Sequence, residues 1–464
     1  MGKRTLTRIA LLGAVSLPIL PALAQEIDAL RMTLGVDQRF EFGDNLGLDT
    51  PAEGNSSIST TRLSFGLISE TDRQQLSLGL SGGLTIQDTP DTDGTQTDWG
   101  TPRLRFSYRL SGDNANLRVN ANYTVAFIDT LELSDFVNDE GIVELPEDFS
   151  GLSGEGQRTS YSASAFLELG TDAPLGFDLS AGISGVSYSG PVDPDLFDFD
   201  RTFVGARALL RISPVLRGTA GLRYSTYDAD DDEQTYRTRT TANLGFDYRV
   251  SPRATFEASV GVTEIDTQKI GEPDTDTSSP VGNLGFAYEM PNGQITADLD
   301  ASADDGGDER INFVVGRSLE LPDGSLSATL GFTDPQEGPA APIGSLSWLR
   351  EMRNGQLTAQ INRSVSSNNE DETNLTTLVV LGYNQDLNDR SGFGLNVNYG
   401  LSDATDTTNQ VTRAGISASY RYALTEDWDL NTGVNYRTRQ EQGEDRASSP
   451  SIFLSIGRNF EFRP

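Results

Sequence analysis

The residue types that most often carry out chemistry in proteins are absent from this sequence. Its 464 residues include no histidine and no cysteine. That composition excludes Ser-His-Asp catalysis, histidine acid–base chemistry and ordinary zinc sites with histidine or cysteine ligands. Chemistry carried by carboxylates alone remains open in principle. We predict that the chain is not an enzyme and that it has no cofactor and no metal site.

Arginines at alternating positions are the most prominent charged feature. Alternate residues of a strand share one face, and on that basis one face carries Arg207, Arg211, Arg217, Arg223, Arg237, Arg239 and Arg249, and an earlier one Arg103 and Arg105. Further along, the same face carries Glu289, Asp298 and Asp300. A basic wall opposite an acidic wall would set a transverse field across a pore. Alternatively, these residues are the polar lining that any water-filled interior needs, where arginine pairs with carboxylates.

Strands of regular alternation must position these charges. Between Phe203 and Val250, three runs place apolar residues on one face and polar residues on the other, which predicts strands with one apolar and one wet face. Tyr236 and Tyr248 bracket the apolar face of the third run. Twelve residues of a strand tilted near 40° rise about 30 Å, the height of an apolar band bounded by aromatic residues in a transmembrane strand.

The strand pattern repeats through the chain with two kinds of connection. Turns containing Asn-Gly or Asp-Gly follow residues 290, 321 and 352, at intervals of 31 residues, and such dipeptides favour hairpins. Ten short turns alternate with eleven longer, acidic loops, which predicts 22 strands. Blurred alternation around residues 161–169 widens the range to 18–24. The predicted fold is an all-β, transmembrane, antiparallel up-and-down β-barrel with short periplasmic turns and long external loops.

The last strand carries a resemblance to a known class of proteins. Its apolar face ends in Phe460 and Phe462. This resembles the aromatic-ended final strand of Gram-negative outer-membrane β-barrel proteins, although Arg458 interrupts the face and Arg463 and Pro464 extend beyond it. The resemblance covers the mature chain and names no single porin or transporter family. It implies that Phe460 and Phe462 are an assembly signal recognised by the barrel-assembly machinery.

The start of the chain and its overall charge agree with export to the outer membrane. Residues 1–24 have a basic start, an apolar stretch and a small-residue cleavage site, which predicts a cleaved signal peptide and a single barrel domain over residues 25–464. The net charge of −33 disfavours nucleic acid as a partner. The expected partners are outer-membrane lipid and lipopolysaccharide. The acidic loops are expected to form a solvated rim; weak bridging to lipopolysaccharide by divalent cations is the alternative.

The loop at about 131–157 is the longest and contains Asp135, Asp139, Glu140 and Glu144. General porins, which this arrangement resembles, fold their third external loop inward to narrow the channel; an exposed loop is the alternative.

We therefore predict an outer-membrane channel for passive diffusion of small hydrophilic solutes. One difficulty is that transporters of 22 strands are plugged. The alternative function is an export or assembly barrel for polysaccharide or lipid, working with a periplasmic partner. The sequence specifies neither the substrate nor the oligomeric state.

Overall fold

A computed structural model describes residues 30–463, except residues 53, 89, 91–95, 129–147, 149–151, 153–155, 191, 193–195, 305, 336–338, 368–372 and 405–409. The predicted signal peptide lies outside the described residues, and it stays a prediction. In the described part of the chain, no helix has the length and apolar character needed to cross a membrane.

The described residues form 22 strands. In chain order they are β1 Leu30–Asp44, β2 Asn55–Glu70, β3 Gln74–Asp88, β4 Gln96–Ser111, β5 Ala115–Phe127, β6 Gln157–Leu169, β7 Leu175–Ser189, β8 Phe199–Ser213, β9 Leu216–Ala229, β10 Tyr236–Ser251, β11 Ala254–Gln268, β12 Thr275–Met290, β13 Gly293–Ala303, β14 Glu309–Leu321, β15 Gly324–Pro335, β16 Ala341–Met352, β17 Gly355–Ser367, β18 Thr373–Asn388, β19 Ser391–Ala404, β20 Gln410–Ala423, β21 Trp428–Glu441 and β22 Ala447–Phe462. The predicted number of strands is confirmed.

These strands close into one barrel. Each strand pairs antiparallel with the next in sequence, and β1 pairs with β22 from Met32 opposite Phe462 to Gly43 opposite Ser451. Closure pairs the backbone groups of β1 with those of β22, so this sheet has no open edge. A membrane requires such pairing because its interior offers no water to backbone groups. All ten predicted short turns fall between consecutive strands, and the predicted antiparallel up-and-down fold is confirmed.

The repeated hairpins show why their glycines are needed. Gly293 and Gly324 adopt φ angles of +131° and +148°, a region that other residues rarely enter. A Cβ at Gly293 would lie 2.1 Å from the carbonyl oxygen of Ser318. The repeat is therefore a backbone requirement of tight turns between adjacent strands.

The outer face of the barrel is apolar and exposed. Leu330 is 73% exposed, Val260 69% and Leu244 66%, and the aromatic rings of Tyr236 and Tyr248 stand at the two ends of this band on β10. A contiguous apolar surface of this size is stable only where lipid replaces water. The fold therefore places the strands across a membrane.

The inner face is polar, with exceptions that explain the blurred alternation of β6. The inward face of that strand carries Phe166, whose ring lies 4.6 Å from the guanidinium of Arg118 on β5. The outward face carries small residues such as Ala163 and Ala165. An aromatic ring inside and alanines outside weaken the sequence pattern without changing the strand.

Candidate functional site in the barrel lumen

Apolar residues meet across the lumen near its external end. Leu152 and Leu196, from the β5–β6 and β7–β8 loops, pack with Ala126 and Ile128 at the end of β5 and with Leu378 on β18. Leu152 is 0% exposed and Leu378 3%. Because β5 and β18 are nine strands apart in a closed ring of 22, this cluster spans the barrel. We call the loop residues Asp148, Leu152 and Leu196 the luminal bridge.

A buried ion pair attaches the luminal bridge to the near wall. Arg158, on the inner face of β6, donates from Nε to Oδ2 of Asp148 at 2.5 Å and from Nη2 to Oδ1 at 3.0 Å. The Tyr188 hydroxyl, on β7, also donates to Oδ2 of Asp148. The Asp148 side chain is 1% exposed and that of Arg158 10%. Two parallel charged hydrogen bonds fix both position and orientation.

The opposite wall holds the luminal bridge by other means. Arg413, on the inner face of β20, donates to the carbonyl oxygen of Leu152. Leu378 and Val380 of β18 supply the apolar contact. The bridge is therefore attached at both ends by charged donors and in the middle by apolar packing.

An aromatic and arginine cluster continues from the near wall. The rings of Phe199 and Tyr227 lie 5.7 Å apart, and the Arg201 guanidinium stands 5.2 Å from the first and 4.9 Å from the second. Arg237 lies 5.6 Å from the Tyr227 ring. Tyr188 packs against this cluster as well as against the luminal bridge. Stacking on rings holds the guanidinium groups in fixed positions.

Other external loops also fold onto the inner wall. Leu46, between β1 and β2, is 3% exposed, and its carbonyl oxygen accepts from Arg437 on β21 at 3.0 Å. Between β13 and β14, the carbonyl oxygen of Asp304 accepts from Arg239 on β10. Burial raises the pKa of the Asp304 carboxyl. The external mouth is therefore narrowed from several sides.

The predicted pore-lining arginines of β8–β10 lie on the inner wall, and most have specific partners. Two form ion pairs of 2.6 Å, Arg207 with Asp178 and Arg217 with Asp247. Arg211 donates to backbone oxygens of the β6–β7 turn. The remaining contacts are Arg223 over Phe203 at 4.1 Å, Arg237 to the Thr267 hydroxyl at 3.2 Å and Arg239 to Asp304, while Arg249 is exposed.

The predicted acidic residues and the second group of arginines also face inward. The acidic residues lie closer to the β8–β10 arginines than to the opposite side of the barrel. Glu289, on β12, lies two strands beyond the arginines of β10, and Asp298 and Asp300, on β13, lie three strands beyond them. Arg103 and Arg105, on β4, lie nearly opposite β13 instead. The constriction-loop candidates Asp135, Asp139, Glu140 and Glu144 lie outside the described residues.

The predicted assembly signal lies on the outer face. Phe462 is 52% exposed, and Phe460 packs 4.4 Å from the guanidinium of Arg458. Arg458 in turn lies 5.5 Å from the Trp428 ring and donates to Asp427 in the β20–β21 turn at 3.2 Å. The arginine that interrupts the apolar face is therefore at the periplasmic boundary, where a long side chain can reach water.

Sequence reasoning missed the residues that hold the luminal bridge. Leu378 and Val380 point inward within an unbroken apolar run on β18, and that run was the available signal, since a strand facing lipid on one side alternates. Among the described residues, no group of three or more acidic side chains is arranged to hold a metal ion.

Comparisons with known proteins agree with this architecture. No family model matches the chain, and no curated protein sequence matches it. The ferric-catecholate import receptor Fiu of E. coli K12 superposes with a TM-score of 0.55 at 11% identity, covering 92% of this chain and 81% of that one. The FrpB iron transporter of Neisseria meningitidis gives 0.58 at 6% identity, with 93% and 82% covered. The ferric enterobactin receptor PfeA of Pseudomonas aeruginosa gives 0.52 at 10% identity, with 92% and 80% covered.

The likeness confirms that this chain has the fold of Gram-negative outer-membrane β-barrels, and this fold with its exposed apolar band agrees with the predicted outer-membrane location. It also corrects the function. The predicted channel for passive diffusion is wrong, because the matching barrels are import receptors and an iron transporter. The alternative prediction of an export or assembly barrel gains no support from them. The physical reason is width: 22 strands enclose a lumen that must be filled, and here the luminal bridge crosses it.

Proposed function

We propose that this chain is an outer-membrane uptake receptor, which binds an organic ligand from outside and admits it through a lumen closed at rest. The observation that supports this most strongly is the luminal bridge. Leu152 is fully buried between opposite walls, an arrangement that places packed side chains across the lumen near the external mouth and so supports a restricted path. The solved barrels with this fold are named as receptors and transporters, so a binding and transport role is preferred to an enzymatic one.

The geometry suggests how binding would open the path. In the described part of the chain, the luminal bridge is held by the buried ion pair of Asp148 with Arg158, by the Tyr188 hydroxyl and by Arg413 from the far wall. A ligand that binds among the arginines and aromatic rings beside the bridge competes for the same groups. Ligand binding can shift the equilibrium of the bridge toward the open position only by the difference between the ligand's binding free energies for the open and closed states.

The proposed partners follow from the membrane context. Outer-membrane lipid and lipopolysaccharide surround the apolar band, and the barrel-assembly machinery recognises β22. A periplasmic partner supplies the energy for release on the inner side, because a closed lumen does not pass its ligand by diffusion alone.

The closed lumen is tested by conductance. In planar bilayers, the wild-type protein should give no steady current, whereas Leu152→Asp should give stable openings because a buried carboxylate without a partner disrupts the apolar cluster. Leu46→Asp is the matched control, since Leu46 is a loop leucine of 3% exposure whose loop contacts β21, two strands from β1 on the same side of the barrel. Steady wild-type conductance equal to that of the Leu152 variant would show that the bridge does not close the barrel.

Uptake is tested in cells. A strain lacking its own receptors but expressing this chain should show saturable binding and accumulation of an external ligand. Radiolabelled ferric enterobactin is the first probe, because a protein of the same fold is named as its receptor. Accumulation that rises linearly with concentration, without saturation, would contradict a receptor.

A further inference from the structure

The inner face of β8–β10 carries a column of arginines, which we call the arginine ladder; one row, formed by Leu209, Thr219 and Gly245, has no arginine. It comprises Arg201, Arg207, Arg211, Arg217, Arg223, Arg237, Arg239 and Arg249. In a chain with 35 basic and 68 acidic residues, eight arginines on three adjacent strands are a strong local reversal of charge. The inward-facing carboxylates on these strands and on the strands at either side are Asp247, Asp178 on β7 and Glu257 on β11.

The strand register spaces the ladder in successive rows. Arg201 lies beside Tyr227, which lies beside Arg237. Two residues further along the strands, Arg239 occupies the next row, and Arg223 and then Arg207 follow in the rows after it. Each row is about 6.7 Å from the next, so the ten residues from Arg201 to Arg211 cover about 33 Å. The ladder therefore runs from beside the luminal bridge to the periplasmic end.

Five arginines of the ladder are exposed to the lumen, namely Arg207, Arg211, Arg217, Arg223 and Arg249, whereas Arg237 is buried at 4% exposure. The side chain of Arg207 is 54% exposed and that of Arg217 51%, even though each pairs with an aspartate. Arg223 stacks on Phe203 and makes no ion pair with any described residue. Stacking and pairing fix the direction of the Arg207, Arg217 and Arg223 guanidinium groups, which stay exposed to the lumen and can donate further hydrogen bonds to an anion.

We propose that the arginine ladder is a relay of binding positions for an extended organic polyanion, such as an acidic oligosaccharide with regularly spaced carboxylates. This rests on the proposed uptake function and names the class of its ligand. A compact anion would occupy one or two rows, whereas an extended one engages several rows and moves by exchanging one for the next. The acidic sector of β12 and β13, with Glu289, Asp298 and Asp300, repels such a ligand and confines it to the ladder.

Binding to the purified full-length protein in detergent tests the relay. The probe is fluorescein-labelled hexagalacturonate, followed by anisotropy at several salt concentrations. We expect unlabelled hexagalacturonate to compete better than trigalacturonate, neutral maltohexaose not to compete, and added salt to weaken binding. The double variant Arg223→Gln/Arg249→Gln should raise Kd about tenfold, since each exposed contact contributes somewhat under 1 kcal/mol and 1.4 kcal/mol is a factor of ten.

The control is Arg421→Gln, on the inner face of β20. Arg421 is 64% exposed and pairs with Asp386 at 3.3 Å, so it matches the ladder arginines in exposure but lies outside the ladder. Its variant should keep the wild-type Kd. Equal affinity for the two galacturonate lengths, competition by maltohexaose, or an unchanged Kd in the double variant would overturn the proposal. The double variant is folded if its gel migration depends on heating, as for an intact barrel. If it is not folded, the proposal is tested by how the affinity of the wild type depends on oligogalacturonate length and on salt concentration.

The outcome is separable from that of the uptake proposal. Ladder-dependent binding without accumulation in cells would support the relay and contradict the uptake function. Accumulation of ferric enterobactin without galacturonate binding would support the uptake function and contradict the relay.

Discussion

Replacing Asp148 by asparagine should release the luminal bridge. The carboxylate is bound by both nitrogens of the Arg158 fork at 2.5 and 3.0 Å, and its side chain is 1% exposed. Asparagine keeps one acceptor and removes the charge, so the buried guanidinium loses its counter-ion. Removing one partner of a buried pair costs about 3–5 kcal/mol. Taking 3 kcal/mol, the population of the released bridge rises roughly a hundredfold.

A thiol at the bridge provides the readout. The chain has no cysteine, so Leu152→Cys introduces a single reactive side chain at a position that is 0% exposed. Labelling by a maleimide requires local opening, and its rate follows the open population when closing is fast. Adding Asp148→Asn to Leu152→Cys should accelerate labelling about a hundredfold.

An exposed ion pair on the neighbouring strands supplies the control. Arg118 and Glu168 are separated by 3.4 Å with side chains 46% and 31% exposed, and such pairs contribute about 0–1 kcal/mol. Glu168→Gln should therefore change the labelling rate less than about fivefold. Labelling of the Asp148 variant at the rate of its parent would refute the view that this ion pair holds the bridge.

Three further outcomes are expected. The mature protein should begin at Gln25 and be recovered in the outer-membrane fraction, as N-terminal mass spectrometry of fractionated cells will show; an uncleaved chain would contradict this. Changing Phe460 and Phe462 together to serine should leave unassembled, protease-sensitive chain in the periplasm, whereas normal assembly would show that these rings are not a signal. Because burial raises the pKa of Asp304, the folded loop binds its proton more tightly than the unfolded chain, so loop stability is greatest below pH 3.8 and falls as pH rises through the raised pKa. Hydrogen exchange of residues 304–308, corrected for its intrinsic pH dependence, should show this fall in the wild type and not in Asp304→Asn.

Local pattern was sufficient to predict the barrel. Alternation with a period of two defines which face meets lipid, and Asn-Gly or Asp-Gly dipeptides fix the hairpins. Such dipeptides mark three of the ten short turns, and Gly, Pro or Asp residues where the alternation breaks mark the others. Each signal is local in the sequence, so all ten short turns were found. The inward direction of the arginines followed from the same alternation, because Leu222 and Leu244 mark the opposite face of their strands.

Contacts across the lumen were beyond such reasoning. The pairing of Arg413 with the carbonyl oxygen of Leu152 joins residues 261 positions apart, and no local pattern encodes it. The relative positions of the charged sectors also depend on the count of strands between them. That count places Asp298 close to the β10 arginines and nearly opposite Arg103.

Closure of the barrel between β1 and β22 has a consequence for biogenesis. The first strand to be made must wait for the last, so the contact of greatest sequence separation forms only when the whole chain has been delivered. Contacts of this kind slow folding, because a large loop must close before they stabilise anything. Until then β1 presents an unpaired edge that invites association with other chains. The strong excess of carboxylates lets charge repulsion keep these waiting chains apart.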